Sequence, residues 1–143
     1  MLEANTEYIL QVEVGNIAVG NGFPLEGFPG YRVDLIAVDG LGSETVLASD
    51  NDILDPGEGL FETSTVTFTA GVGHAQLGNV LKIHLVNLNN NVLSDGSPAP
   101  ASNDVAVDFD NVRLDATAVP EPSGLGLLAL GLVGMWLRRR RFS

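Results

Sequence analysis

The sequence contains no cysteine, one tryptophan and few basic residues. Without cysteine, a disulfide framework, a thiolate metal site and a thiol nucleophile are all excluded. Four of the seven Lys and Arg residues are Arg138, Arg139, Arg140 and Arg141. The other three lie in residues 1–118, which also contain every acidic residue except Glu121, so this part of the chain is strongly negative. Such a surface repels phosphate backbones, which excludes nucleic acid as a partner. It suits a soluble secreted domain, or one that meets Ca²⁺.

The first residues, MLEANTEY, lack the basic and apolar regions of a secretory signal peptide. An exported domain needs such a segment, so we expect the chain to be an N-terminally shortened fragment. Nucleophile-elbow and HExxH patterns are also absent. The acidic pairs Asp50/Asp52 and Asp108/Asp110 could serve a glycosidase, but so many scattered carboxylates produce pairs by chance. The sequence therefore predicts no catalytic residue and no enzyme.

Period-two alternation of apolar and polar residues marks six segments, separated by turns rich in Gly, Pro, Asn and Asp. They are Glu7–Val14, Tyr31–Val38, Thr45–Ser49, Ser64–Thr69, Val80–Asn87 and Val105–Leu114. Alternation implies that each strand has one wet face, as in antiparallel sheets packed face to face. We therefore predict an all-β domain over residues 1–116, an antiparallel β-sandwich of the jelly-roll kind. Six strands are few for that fold, so we expect its first strands to be missing.

The C-terminal residues have a different pattern, with a linker over 117–123 and an apolar run over 124–143. Pro120 and Pro122 disfavour helix before Ser123. A helix over the uncharged stretch 124–137 would be about 21 Å long, at about 1.5 Å per residue, against a hydrocarbon core of about 30 Å. We predict a short transmembrane helix that is stopped by Arg138, Arg139, Arg140 and Arg141. These charges predict a cytoplasmic C-terminus and a β-domain outside.

The order Pro120-Glu121-Pro122, then a Gly/Leu-rich run, then an arginine cluster, resembles the PEP-CTERM sorting signal over residues 119–142. The resemblance implies that Pro120, Glu121 and Pro122 are recognised by an exosortase, a membrane-embedded cysteine protease. It also implies membrane association in the envelope of a Gram-negative bacterium that makes exopolysaccharide. After processing, the β-domain would be at the cell surface or extracellular.

The body of the chain is similar to carbohydrate-binding-module and galactose-binding-like jelly rolls, in stretches such as GYRVDLIAVDG, FETSTVTFTAG and VDFDNVRLDA. That resemblance implies a structural Ca²⁺ at Asp110 and a polysaccharide partner. Sugar binding needs exposed aromatic side chains, and Phe23, Phe28 and Tyr31 beside the Gly-rich loop are the candidates. The acidic stretch 50–59 fails the EF-hand pattern, because its fifth position is Leu54.

Together these features predict an exported, surface or exopolysaccharide-associated protein whose β-domain binds carbohydrate or acts as a matrix component. Two alternatives stay open from the residues alone. One is a secreted glycan-active enzyme on the same fold, and the other is a purely structural matrix protein without a ligand site.

Overall fold

The computed structural model describes residues 1–18, 27–90 and 106–120, and these residues form six β-strands. The strands are β1 (Thr6–Asn16), β2 (Tyr31–Val38), β3 (Glu44–Asn51), β4 (Phe61–Ala70), β5 (Val80–Asn87) and β6 (Val107–Ala118). Every predicted strand is present. The bounds of β2 and β5 agree with the prediction, whereas β3 and β4 each begin before and end after the predicted segment.

The strands form two three-stranded antiparallel sheets, with orders β4-β1-β6 and β3-β2-β5. The two central strands, β1 and β2, each pair with a neighbour on both sides. The prediction of an all-β fold with antiparallel sheets is confirmed. The predicted transmembrane helix at 124–143 lies outside the described residues, and within those residues the structure has no helix that could cross a membrane.

The core lies between the two sheets, on the faces that the alternation predicted. Fully buried residues on these faces are Tyr8, Leu10, Val12 and Val14 of β1 and Tyr31, Val33, Leu35 and Ala37 of β2. Full burial of an aliphatic side chain of this size stabilises a fold by roughly 1.5–3 kcal/mol. The central strands therefore supply most of the hydrophobic stabilisation among the described residues.

The two sheets do not cover each other equally. Across the sandwich β3 contacts β4, and β2 contacts β1 and β4. The inner faces of β5 and β6 are less covered: Leu85 is 37% exposed and Leu114 is 36% exposed. We call the inner-face residues Leu81, Ile83 and Leu85 of β5 and Phe109 and Leu114 of β6 the open side.

A β-bulge sets which residues of β6 face inward. The pairing between β1 and β6 shifts between Gln11 and Glu13, and Asn111 has a φ of 48°, a left-handed conformation that one type of bulge contains. Phe109 therefore pairs with Val14 and Leu114 pairs with Leu10. In a regular strand these two β6 residues would face opposite sides, because they are an odd number of positions apart. The bulge adds the residue that brings both to the inner face.

Candidate functional site

A polar cluster lies within the otherwise apolar core, where β2, β3 and β4 meet. The Tyr31 hydroxyl donates a hydrogen bond of 2.6 Å to Oδ2 of Asp50, and the Ser64 hydroxyl donates to the same oxygen. Asp50 is 5% exposed, and Ser64 and Tyr31 are also buried. The other carboxylate oxygen of Asp50, Oδ1, is buried without a hydrogen-bond partner among the described residues. We call these three residues the Asp50 cluster.

The register of the strands places this carboxylate inside. Asp50 is opposite Val33 of β2, which is a core residue, and Ser64 is opposite Val12 of β1. The pairing of β2 with β3 shifts between Leu35 and Ile36, so Leu47 is an extra residue on β3. This bulge turns Ala48 and Asp50 toward the core, as they are two residues apart on one face.

The chain around the cluster is held by a second aspartate. Oδ1 of Asp52 accepts a hydrogen bond of 3.2 Å from the backbone amide of Tyr31. Gly30 has a φ of 72°, and a Cβ built there would lie 2.7 Å from the same Asp52 oxygen. Only glycine fits this position without strain, because it has no Cβ and populates positive φ readily. The start of β2 and the end of β3 are therefore fixed against each other beside the Asp50 cluster.

Burial, and then the hydrogen bond to the Asp50 carboxylate, raise the pKa of the Tyr31 hydroxyl above its ordinary value of 10.0. The folded state therefore keeps Tyr31 protonated at a pH where the unfolded chain ionises it. We expect the free energy of unfolding to fall by about 1.4 kcal/mol per pH unit once the pH exceeds about 10. Urea unfolding from pH 8 to 11 measures this slope. Tyr31→Phe should remove the part of this slope that the Tyr31 hydroxyl contributes. An unchanged slope in the variant would show that the pKa of Tyr31 is not raised in the folded state.

The Asp50 cluster has the elements of a proton-transfer site. One carboxylate oxygen accepts hydrogen bonds from two hydroxyl donors, which fix its orientation, and the other is buried without a hydrogen-bond partner among the described residues. In its acid form such a group donates a proton, and in its carboxylate form it accepts one. Such a buried, hydrogen-bonded carboxyl is a candidate general acid or base, and structural networks also bury carboxyls in this way.

The structure places the predicted aromatic site differently from the sequence prediction. Phe28 is half-buried and packs against the core, with its ring centroid 6.1 Å from that of Tyr31. Tyr31 has no exposed surface and points into the core, so its ring cannot stack on a sugar. Phe23 lies outside the described residues. Phe28 and Tyr31 are thus brought together, but as part of the protein interior, and any ligand role for these residues stays a prediction.

The predicted Ca²⁺ ligand, Asp110, lies on the outer face of the first sheet. It is exposed, its register partner is Glu13, and its Oδ1 accepts a hydrogen bond of 2.7 Å from the Asn111 amide. Ca²⁺ takes six to eight oxygen ligands. Within residues 1–18, 27–90 and 106–120 no group of three or more acidic or histidine side chains could hold a metal. The described residues are therefore an incomplete set for Ca²⁺, and its binding at Asp110 stays a prediction.

The sorting motif lies at the boundary of what the structure describes. Pro120 is separated from the end of β6 by Val119 alone, whereas Glu121, Pro122 and the arginines 138–141 lie outside the described residues. Their predicted roles in recognition and in stopping the helix rest on the sequence.

Sequence reasoning missed Asp50. It assigned residues 50–59 to an acidic loop and treated Asp50 and Asp52 as a pair formed by chance. The structure separates the two, because Asp50 belongs to β3 and is buried while Asp52 is exposed. Continuing the alternation of β3 from Ala48 by two residues would have placed Asp50 on the inner face.

Comparison with known proteins identifies both parts of the chain. A family model described as HpiC1 cyclase, HpiC1-like, matches residues 1–115. The chain belongs to the HpiC1-like cyclase family. A second family model, the PEP-CTERM protein-sorting motif, matches residues 118–141 and confirms the predicted sorting signal. A comparison with curated proteins found no match.

Solved structures of cyclases from Fischerella are similar to the chain. The Stig cyclase Fisc from Fischerella sp. TAU, in complex with (3Z)-3-(1-methyl-2-pyrrolidinylidene)-3H-indole, is 42% identical over 83% of this chain and 52% of its own, with a TM-score of 0.66. A cyclase from Fischerella sp. TAU in complex with 4-(1H-indol-3-yl)butan-2-one gives the same values. Another structure of a cyclase from that source is 42% identical over 84% and 53% of the two chains, with a TM-score of 0.68. The chain thus spans about half the length of these relatives.

Two predictions are corrected by these findings. The prediction that the protein is not an enzyme is wrong, because the domain and its structural relatives belong to a family of cyclases. The resemblance to a carbohydrate-binding module is also wrong, because the cyclase family model matches residues 1–115, which include all of β1 to β5 and most of β6. Alternation and glycine turns recur in many β-sandwiches, so these features alone did not separate one family from another.

Proposed function

We propose that the chain is part of an exported cyclase that closes a ring in a small aromatic substrate of the indole class. The Asp50 cluster carries this proposal, since a buried carboxyl with one unpaired oxygen is suited to acid–base chemistry. Relatives 42% identical to this chain have been crystallised with indole ligands. Because the chain spans about half of those relatives, the substrate class and the activity are inferred here from the domain that it shares with them.

Two features of the domain support an aromatic, apolar substrate. The open side presents aliphatic residues and the ring of Phe109, which suit the flat apolar surface of an indole. Asp50, Val33 and Leu85 form one row across β3, β2 and β5. At about 4.8 Å between neighbouring strands, the backbones of Asp50 and Leu85 are about 10 Å apart. An apolar contact surface and a proton-transfer group thus lie at one level of the sandwich.

In this proposal Asp50 gives a proton to the substrate as the new ring bond forms and takes a proton back when the product leaves. Protons and electrons balance, so no oxidant or reductant is needed. Tyr31 and Ser64 hold the carboxyl through Oδ2, and Oδ1 exchanges the proton once a substrate between the sheets displaces the groups that bury this oxygen. A general acid or base of this kind contributes roughly 10²- to 10⁴-fold to a rate.

The test uses the full chain and an indole that carries an unsaturated side chain, so that ring closure gives an isomer of unchanged mass with a new chromatographic retention. Asp50→Asn is expected to lower the rate of isomer formation by about 100-fold or more, because the amide cannot exchange the proton. Asp55→Asn is the matched control, an exposed aspartate of the neighbouring loop, and should keep the rate of the native chain.

Two outcomes would contradict the proposal. If the Asp50→Asn chain forms the isomer as fast as the native chain, Asp50 is not the proton-transfer group. If the native chain neither binds 4-(1H-indol-3-yl)butan-2-one in a calorimetric titration nor isomerises any such indole, the substrate class is wrong.

The sorting tail supplies the other half of the proposed function. Its motif implies processing by an exosortase and association with a membrane, and it indicates a cell-envelope or extracellular protein. We propose in addition that the arginines 138–141 stay on the cytoplasmic side and that the cyclase domain is displayed outside. The domain would then meet its substrate at the cell surface or, after cleavage, in the surroundings of the cell.

A further inference from the structure

The folded domain leads into the sorting motif without a flexible spacer. The last residue of β6, Ala118, pairs with Thr6, and the amide of Val119 donates a hydrogen bond of 2.7 Å to the carbonyl of Asn5. The next residue is Pro120. The uncharged run begins at Gly124, and even a fully extended chain from Val119 reaches only about 18 Å, at up to about 3.6 Å per residue. The end of the sandwich from which the tail leaves is therefore within that distance of the membrane-inserting segment.

The strand register shows which loops share this end. Thr6 pairs with both Ala70 and Ala118, so β4 and β6 end together and the loop 71–79 follows there. The amide of Leu2 donates to the carbonyl of Asn79 at 2.8 Å, which joins this end to the start of β5. Val80, the first residue of β5, pairs with Val38, so the turn 39–43 between β2 and β3 is also at this end.

The residues at the tips of these segments are apolar and exposed. Leu41 in the turn is 94% exposed, Val72 in the loop is 67% exposed, and Val119 is 40% exposed. We call the surface formed by these three residues the tail-side end. Soluble proteins often place single apolar residues on their surface, but here the turn 39–43, the loop 71–79 and the start of the tail each present one.

The tips of the tail-side end carry less acidic charge than the opposite end of the sandwich, although Glu3 and the Lys82-paired Glu44 also lie at the tail-side end. The loop 71–79, GVGHAQLGN, contains no acidic residue, although the chain has 18. The carboxylate of Asp39 is turned back into its own turn, where it accepts 2.8 Å hydrogen bonds from the amides of Leu41 and Ser43. The opposite end, over residues 50–62, reads DNDILDPGEGLFE and is densely acidic. A bilayer interface accepts exposed apolar groups and disfavours uncompensated carboxylates.

We propose that the tail-side end is a membrane-contact surface, which lies against the bilayer that holds the sorting tail and places Leu41 and Val72 among the lipid headgroups. This inference rests on the membrane association of the tail. The short connection brings the surface to the bilayer, and the apolar tips retain it there. The acidic end is then directed away from the headgroups.

The absence of cysteine allows a direct test, because a single introduced cysteine can be labelled uniquely. The full chain is reconstituted into phosphatidylcholine vesicles with an environment-sensitive fluorophore at Leu41→Cys or Val72→Cys. Labels at Ile53→Cys and Leu60→Cys are the matched controls, since these apolar residues are 77% and 62% exposed at the opposite end. We expect a blue shift, and quenching by nitroxide-bearing lipid, for the labels at 41 and 72 but not for those at 53 and 60.

Vesicle flotation separates failure of the surface from failure of the tail. If the full chain floats with the vesicles while the labels at both ends respond alike, the membrane-contact surface is wrong and the tail assignment stands. If the chain does not float, the membrane-contact surface and the membrane association of the tail are both overturned. A blue shift that depends on protein density at constant lipid composition would indicate contact with a second copy, and would also overturn the proposal.

Discussion

Asp50→Ala is expected to lower the free energy of unfolding by about 2–5 kcal/mol, which is a large part of the roughly 5–15 kcal/mol that stabilises a typical domain. The substitution leaves the hydroxyls of Tyr31 and Ser64 buried without their acceptor. Each unsatisfied buried donor costs about 1–3 kcal/mol. Urea unfolding of the full chain measures the change. Asp55→Ala, at an exposed position of the neighbouring loop, is the matched control and should change stability by no more than about 0.5 kcal/mol.

A second variant separates stability from function in the same cluster. Replacing all three members with apolar residues, as Tyr31→Phe, Asp50→Leu and Ser64→Ala, removes the donors together with the acceptor. Buried polar clusters replaced in this way are often neutral or stabilised. We therefore expect the triple variant to recover most of the stability that Asp50→Ala loses, while it stays unable to form the isomer.

The outcome of that comparison bears directly on the proposed function. A stable but inactive triple variant means that the cluster is kept for its chemistry and not for folding. If the triple variant is as unstable as Asp50→Ala, the cluster is a structural element and the case for Asp50 as a proton-transfer group is weakened. If Asp50→Ala alone costs no more than Asp55→Ala, the hydrogen bonds of the cluster do not form as described.

The strands could be predicted from the sequence because alternation is a local property. Tyr8, Leu10, Val12 and Val14 occur at every second position, and of the residues between them only Ile9 is apolar. A strand with one buried face has this period whatever its partners are. The prediction therefore needed no knowledge of which strands pair or of how the sheets are ordered.

Two bulges explain most of what the sequence did not predict. The extra residue Leu47 changes which residues of β3 face inward, so Asp50 becomes a core position although it begins an acidic stretch. In β6 the bulge at Asn111 likewise changes which residues face inward and brings Leu114 to the inner face. A bulge is specified by pairing with a neighbouring strand, which is a long-range contact that period-two alternation does not contain. Alternation counted across Leu47 from Thr45 therefore places Asp50 on the outer face, and only the count from Ala48 places it inside.

The sequence also did not predict how deeply each residue of an inner face is buried. This difference leads to the second prediction with a large expected effect. Leu10→Ala and Leu35→Ala should each cost about 2–5 kcal/mol, because both leucines are fully buried in the central strands. Leu85→Ala and Leu114→Ala remove the same atoms from the same inner faces, but these side chains are more than a third exposed. We expect them to cost less than about 1 kcal/mol each. Urea unfolding of the four variants, at equal protein and detergent concentrations, gives the comparison.

The four leucines form two matched pairs. Leu114 is directly opposite Leu10 in one sheet. In the other sheet Leu35 is opposite Ile83, and Leu85 is two residues further along β5, so Leu85 is the diagonal neighbour of Leu35. A difference within each pair therefore reports coverage by the facing sheet and not a difference in side chain or strand propensity. If Leu85→Ala and Leu114→Ala cost as much as the central substitutions, the open side is covered in the folded protein. An indole could then reach Phe109 only by displacing that cover, and the row from Leu85 to Asp50 would lose its role as the substrate surface.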